Sequence, residues 1–155
     1  MPDAKQSGYK AAAQPVVFSG TRTLVSLAAG EYTDASDAID NSTNLYLLAD
    51  WELVVDFDTT APTDGGTFAL YLIPSVDDTN YADWVGDGTV NEPTNEVNYV
   101  GSFTVSDILT SQRLVLMDVV MPPGKFKVGI RNNTSQPLTS GAHTLKWRPK
   151  QYASG

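Results

Sequence analysis

Residues 44–58 read Asn44-Leu-Tyr-Leu-Leu-Ala-Asp-Trp-Glu-Leu-Val-Val-Asp-Phe-Asp58, and after a polar break residues 67–74 read Thr67-Phe-Ala-Leu-Tyr-Leu-Ile-Pro74. In the first stretch Leu45, Leu47, Ala49, Trp51, Leu53, Val55 and Phe57 occupy alternate positions, with Asp50, Glu52, Asp56 and Asp58 among the residues between them. Successive side chains of a strand point to opposite faces, so the alternation predicts a long strand with one covered and one wet face. The break, Thr60-Ala-Pro-Thr-Asp-Gly-Gly66, carries the Pro and Gly residues that a chain reversal needs. The two stretches are therefore expected to pair as one antiparallel hairpin.

Working outward, residues 21–27 read as a short strand, and 98–105 as a strand interrupted by Gly101, the mark of a bulge. Residues 113–121 form a nearly continuous apolar run suited to a covered strand. After the turn signal Pro122-Pro-Gly124, residues 125–131 alternate cleanly, with Phe126, Val128 and Ile130 inward. The last strand, 142–149, sets His143, Leu145 and Trp147 on one face. No segment shows helical periodicity, so the expected fold is a single-domain, all-β antiparallel sandwich, jelly-roll-like in form. Residues 1–20 lack a developed pattern and are expected to form an extended N-terminal arm on a body of residues 21–155. Val16, Val17 and Phe18 are its apolar tag, serving either to cover the end of the domain or to contact a partner.

The chain has 155 residues and no cysteine, which excludes disulfides and thiolate metal sites. Its N-terminus is polar and no apolar run reaches the ~18–20 residues of a membrane span, so neither a signal peptide nor a membrane partner is expected. A net charge of −8 argues against nucleic acid. The charge is also unevenly distributed. No Lys or Arg lies between Arg22 and Arg113, whereas Lys125, Lys127, Arg131, Lys146, Arg148 and Lys150 close the chain without one acidic residue. Either basic strands neutralise acidic neighbours across a sheet, or they form a basic contact face for other chains.

Candidate sites for chemistry are sparse. One histidine, His143, and no cysteine cannot build a triad or a His-rich zinc site. Asp77, Asp78, Asp83 and Asp87 with Asn80, and Asp34, Asp37 and Asp40 with Asn41, match no calcium-loop spacing and read as solvated acidic loops. No metal and no cofactor is expected. Tyr81 and Trp84, in the long loop 75–96, offer aromatic surface for a sugar or a protein, or a small core for the loop itself. Asn41-Ser-Thr43 and Asn132-Asn-Thr134 match the glycosylation sequon as chance matches.

Taken as a set, several segments resemble the small all-β virion structural proteins of tailed bacteriophages. They are Ala49-Asp-Trp-Glu-Leu-Val-Val55, Gly65-Gly-Thr-Phe-Ala-Leu-Tyr-Leu-Ile-Pro74, Asn80-Tyr-Ala-Asp83, Val100-Gly-Ser-Phe103, Gln112-Arg-Leu-Val-Leu116, Pro122-Pro-Gly-Lys-Phe-Lys127 and Leu145-Lys-Trp-Arg-Pro149. Some of those proteins are capsid decoration, or cement, proteins with a jelly-roll-like body. The resemblance implies a non-enzymatic protein, made in the host cytoplasm and placed on the capsid exterior. It would bind the major capsid protein or other virion proteins, as a homo-oligomer for which a trimer suits the three-fold positions of a shell. The alternative within the same resemblance is a carbohydrate-binding or adhesin-like tail component using Tyr81 and Trp84.

Overall fold

A computed structural model describes residues 8–84 and 95–151. Its strands are β1 (Gly8–Tyr9), β2 (Gln14–Pro15), β3 (Ile39–Asp40), β4 (Leu48–Val55), β5 (Thr67–Pro74), β6 (Tyr99–Thr104), β7 (Gln112–Val120), β8 (Lys125–Asn133) and β9 (Thr144–Gln151), with one 3-10 turn at Asn95–Asn98. They build two antiparallel sheets, ordered β1-β9-β4-β7 with β2 also on β9, and β3-β8-β5-β6. The chain is thus an all-β sandwich, as the alternation predicts. Among the described residues no helix is long and apolar enough to cross a membrane.

The core lies between the sheets. Ala49, Trp51, Leu53 and Val55 of β4 face Phe68, Leu70 and Leu72 of β5, joined by Phe126, Val128 and Ile130 of β8 and Leu145 and Trp147 of β9. Trp51 stacks on Trp147 at 6.3 Å between ring centroids. Each of the buried Leu, Val, Ile and Phe side chains contributes roughly 1.5–3 kcal/mol through its burial. β5 is apolar throughout because both its faces are covered; Ala69 and Tyr71 meet Tyr32 and Trp84 on the far side.

The expected hairpin does not form. β4 is flanked by β7 and β9, and β5 by β6 and β8, so neither has a free edge for the other. Residues 56–66 instead carry the chain from one sheet to the other, and the two apolar faces meet across the sandwich. The strand also starts later than predicted. Leu45 adopts φ 51° within a turn, leaving Leu45 and Leu47 57% and 60% exposed.

Residues 21–27 form a turn rather than a strand. The Leu27 N–H donates to the Leu24 carbonyl at 3.3 Å, and both leucines are buried although three positions apart, a spacing alternation forbids. β7 is an end strand, not a covered one: Val115, Met117 and Val120 are 56%, 59% and 64% exposed. The bulge expected at Gly101 is present, where the β5–β6 register shifts between Leu70 and Tyr71.

The expected arm is, from Gly8 onward, the edge of its own sheet. Tyr9 pairs with Lys150 and Gln14 with Trp147, and the Val16 N–H donates to the Leu145 carbonyl at 2.9 Å. Val16 is buried in the core with Phe18 against it, and only Val17 of the apolar tag faces solvent. A boundary at residue 20 therefore cuts through packed structure, and deleting residues 1–20 would uncover β9.

Candidate interaction surface

The basic residues proposed as one contact face do not share a face. Lys125, Lys127 and Arg131 lie on the outer side of β8 in one sheet; Lys146 and Arg148 lie on the outer side of β9 in the other. Most are engaged at home. Lys127 sits over the Tyr81 ring at 4.6 Å, Arg131 over Tyr32 at 4.8 Å and Arg148 over Tyr9 at 4.0 Å. Lys125 stands opposite Asp40, and Lys146 opposite Glu52, in strand register. The charge asymmetry of the sequence is thus largely neutralised between neighbouring strands.

Trp84 belongs to the protein's own packing. Its ring lies 5.6 Å from Tyr32 and 5.1 Å from Tyr71, and its indole N–H donates to the Thr33 carbonyl at 3.0 Å. The ring rests on Gly129, where a Cβ would come within 2.2 Å of the indole. Gly129→Ala is therefore expected to displace Trp84 and cost about 2 kcal/mol. The check is denaturant unfolding together with a new iodide-quenchable tryptophan fraction, since Trp51 and Trp147 are buried. Unchanged quenching would show the seat to be loose. Trp84 is thus half-buried with its N–H engaged, and Tyr81 is half-buried beneath Lys127.

The acidic loops hold themselves. Asp77 accepts hydrogen bonds from the N–H of Thr79 and of Asn80 and from the Asn80 side chain, which depress its carboxyl far below the ordinary range. Asp34 accepts the Arg22 N–H, Asp37 the Ser19 hydroxyl, and Asp78 the Lys125 N–H. Among the described residues no three acidic or histidine side chains converge as metal ligands would. Asp87 lies outside the described residues. His143 is a satisfied, half-buried histidine: Nδ1 accepts the Asp56 N–H at 3.2 Å, which leaves Nε2–H to donate to the Thr139 carbonyl at 3.0 Å. Both sequon asparagines are fully buried, which agrees with chance matches.

Two polar devices escaped the sequence reading. Asn132 bridges two segments: its Nδ2 donates to the Leu27 and Gln136 carbonyls, and its Oδ1 accepts from the Thr134 N–H and hydroxyl. Asp50, read as wet, is buried at a bulge opposite β7. It accepts the Tyr9 hydroxyl at 2.8 Å and the Asp118 N–H at 2.9 Å, and pairs with Lys150 at 2.7 Å. Lys150 also reaches Asp118 at 2.5 Å. Burial opposes ionisation of Asp50, but these donors outweigh it and hold the carboxyl below its usual range.

The two flanks of the sandwich differ. On the β8/β9 flank, residues 30–40 line β8: Thr33 and Ser36 donate backbone N–H groups to the Ile130 and Val128 carbonyls, and their hydroxyls accept the N–H groups of those same residues. β1 and β2 pair with β9 and form the end of its sheet opposite β7. On the opposite flank β6 pairs only with β5, and β7 only with β4. Exposed apolar residues lie on both outer faces beside these strands: Tyr99 against Tyr71 on the β5/β6 side, and Val115, Met117 and Val120 on the β4/β7 side. No protein-family model, curated protein or solved structure matches the chain.

Proposed function

We propose that this chain is a non-enzymatic structural protein of a tailed-phage virion, a capsid decoration protein that braces the outside of the head shell by bridging neighbouring subunits. The observation that carries the reading is the outer face of the end strand β7, where Val115, Met117 and Val120 stand exposed. Such a surface works by association. Further support comes from the strand order, β1-β9-β4-β7 over β3-β8-β5-β6, two antiparallel sheets of the kind from which jelly rolls, an architecture of viral capsid domains, are built. The fold alone does not assign a function, and the resemblance of segments such as Gly65–Pro74 and Leu145–Pro149 to phage virion proteins supplies the context. Bracing needs no single strong site. Modest contacts repeated around a symmetric shell resist release because several must break together.

The test is co-sedimentation of the purified protein with purified phage heads. The protein is expected to pellet with heads in saturable fashion, and Met117→Lys to bind at least about tenfold more weakly, as loss of multivalency predicts. A protein that stays in the supernatant at every head concentration defeats the proposal.

A further inference from the structure

We infer that the groove on the outer face of the β9-β4-β7 layer receives an extended acidic segment of the partner protein. One apolar side chain of that segment enters between Tyr9, Ala13 and Val115, and the carboxylates beside it meet Lys146 and Arg148. The inference rests on the reading of β7's outer face as a contact surface and states the chemistry of what lies on it.

Strand order builds the groove. Glu52 of β4 stands in register with Lys146 of β9 on one side and with Val115 of β7 on the other, so the three side chains form one row across the outer face. Arg148, two residues along β9 from Lys146, points the same way. On the β9 side the row is bounded by Tyr9 of β1 and by Ala13, which lies between β1 and β2; on the other side it is bounded by Val115. All six residues line one depression of about 220 Å³. Its sides are apolar and its floor is charged.

The pairing of those charges selects the partner. Each carboxylate of this face is already held: Glu52 by Arg113 at 2.7 Å, Asp50 by Lys150 at 2.7 Å, and Asp118 by Lys150. Glu52 stands opposite Lys146, but its carboxylate is drawn to Arg113. Lys146 and Arg148 are both exposed, and among the described residues neither lies within ion-pair distance of a carboxylate. Arg148 is nevertheless fixed in place. Its Nε–H donates to the Ala11 carbonyl at 3.1 Å, and its guanidinium lies 4.0 Å from the centre of the Tyr9 ring. A guanidinium held in this way has little rotamer entropy left to lose when a carboxylate arrives. The chain as a whole carries −8, yet at physiological ionic strength that field is screened beyond ~8 Å, so the two local cations decide what binds. A nucleic-acid backbone needs a run of cations, and here three carboxylates stand among them. The apolar sides call for an apolar side chain between the acids, which a peptide supplies.

The probe is the blocked peptide Asp-Glu-Leu-Glu-Asp, titrated into the full chain and followed by backbone amide NMR. Saturable shifts are expected at Ala13, Val115 and Lys146. The analogue with Asn and Gln in place of the acids should bind at least about tenfold more weakly, since charge-assisted hydrogen bonds are about twice as strong as neutral ones. A Gly in place of the central Leu should weaken binding too. Lys146→Glu should bind the acidic peptide at least about tenfold more weakly, with its other amide shifts unchanged. No shift at these amides at millimolar peptide, equal binding of the Asn/Gln or Gly analogue, or wild-type affinity in Lys146→Glu would overturn the inference. Should Lys146→Glu fail to fold, the three peptides on the wild-type chain decide. None of these titrations involves phage heads. A chain that binds the acidic peptide but ignores heads keeps the groove and defeats the virion reading, and one that pellets with heads yet ignores the peptide does the reverse.

Discussion

Replacing Asn132 by Asp is expected to lower stability by about 4 kcal/mol, the cost of a buried charge without a counter-charge. The substitution is nearly isosteric, so packing does not account for the loss. What changes is the Nδ2 group, which donates to the Leu27 carbonyl at 3.1 Å and to the Gln136 carbonyl at 2.9 Å. An aspartate would aim an oxygen at both carbonyls in a site with no exposure to water. It must either carry a desolvated charge or take up a proton, and both states are costly. Asn132→Ala should lose less, about 2–3 kcal/mol, because the Leu27 carbonyl also accepts from the Leu138 N–H, and the Thr134 hydroxyl, released from Asn132 Oδ1, lies within reach of the Gln136 carbonyl. In a domain of this size the Asp variant should melt ~10 °C lower. A shift within two or three degrees, read by calorimetry at neutral pH, would show that Asn132 does not tie the 27–30 turn to the 134–138 loop.

The second large effect is expected at Asp50. Asp50→Ala removes the acceptor of Tyr9, of the Asp118 N–H and of Lys150 together, and should cost about 3 kcal/mol. Lys150 keeps Asp118, so the loss falls at the lower end for a broken buried pair. Because Tyr9 lies on β1, the N-terminal strand should loosen first, visible as protease cleavage near residues 9–14. The folded-state carboxyl of Asp50 is depressed, so its stabilisation is complete above the ordinary carboxylate value near ~3.9 and is lost as pH falls through the lower folded value. Asp50→Asn should accordingly be less stable than wild type at pH 7 and converge with it in strong acid, where both carry a neutral side chain. Lys150 is shifted the other way, upward through its hydrogen bonds to Asp118 and Asp50. Its contribution is present below the ordinary lysine value of ~10.4 and is lost only as pH rises through the higher folded value. A difference between wild type and Asp50→Asn that does not depend on pH between 2 and 7 would refute the ion pair as the source.

These two sites were the least legible parts of the sequence. Asp50 meets Asp118 across 68 positions, and Asn132 meets Leu27 across 105; no local pattern announces such pairs. Alternation, by contrast, found β4 from Ala49 onward and β8 as far as Arg131, because a sheet covered on one face writes its period into the chain. It misjudged Asp50, which keeps the outward position the period gives it but is covered there by Tyr9, Asp118 and Lys150. Periodicity also gives a strand's faces and not its neighbours. The run 113–121 is apolar on both sides, and sequence alone did not separate a covered strand from an edge strand with an exposed apolar face. For the same reason the turn at 60–66 was read as a hairpin although it joins two sheets. The contact surface proposed here thus became visible only once strand order was known. Tyr81 and Trp84 were singled out correctly as loop aromatics, yet Trp84 lies against Gly129, whose missing side chain is a cue no spacing rule contains.

The place of β9 bears on how the molecule is made. β9 lies between the N-terminal strands and β4, yet it leaves the ribosome after every other described strand. Until it arrives, Trp51 lacks the indole of Trp147 and β1 has nothing to zip onto. Closure of that sheet is therefore a late event in biosynthesis, and a nascent chain stalled before Thr144 would carry an unfinished, sticky layer that invites chaperone attention.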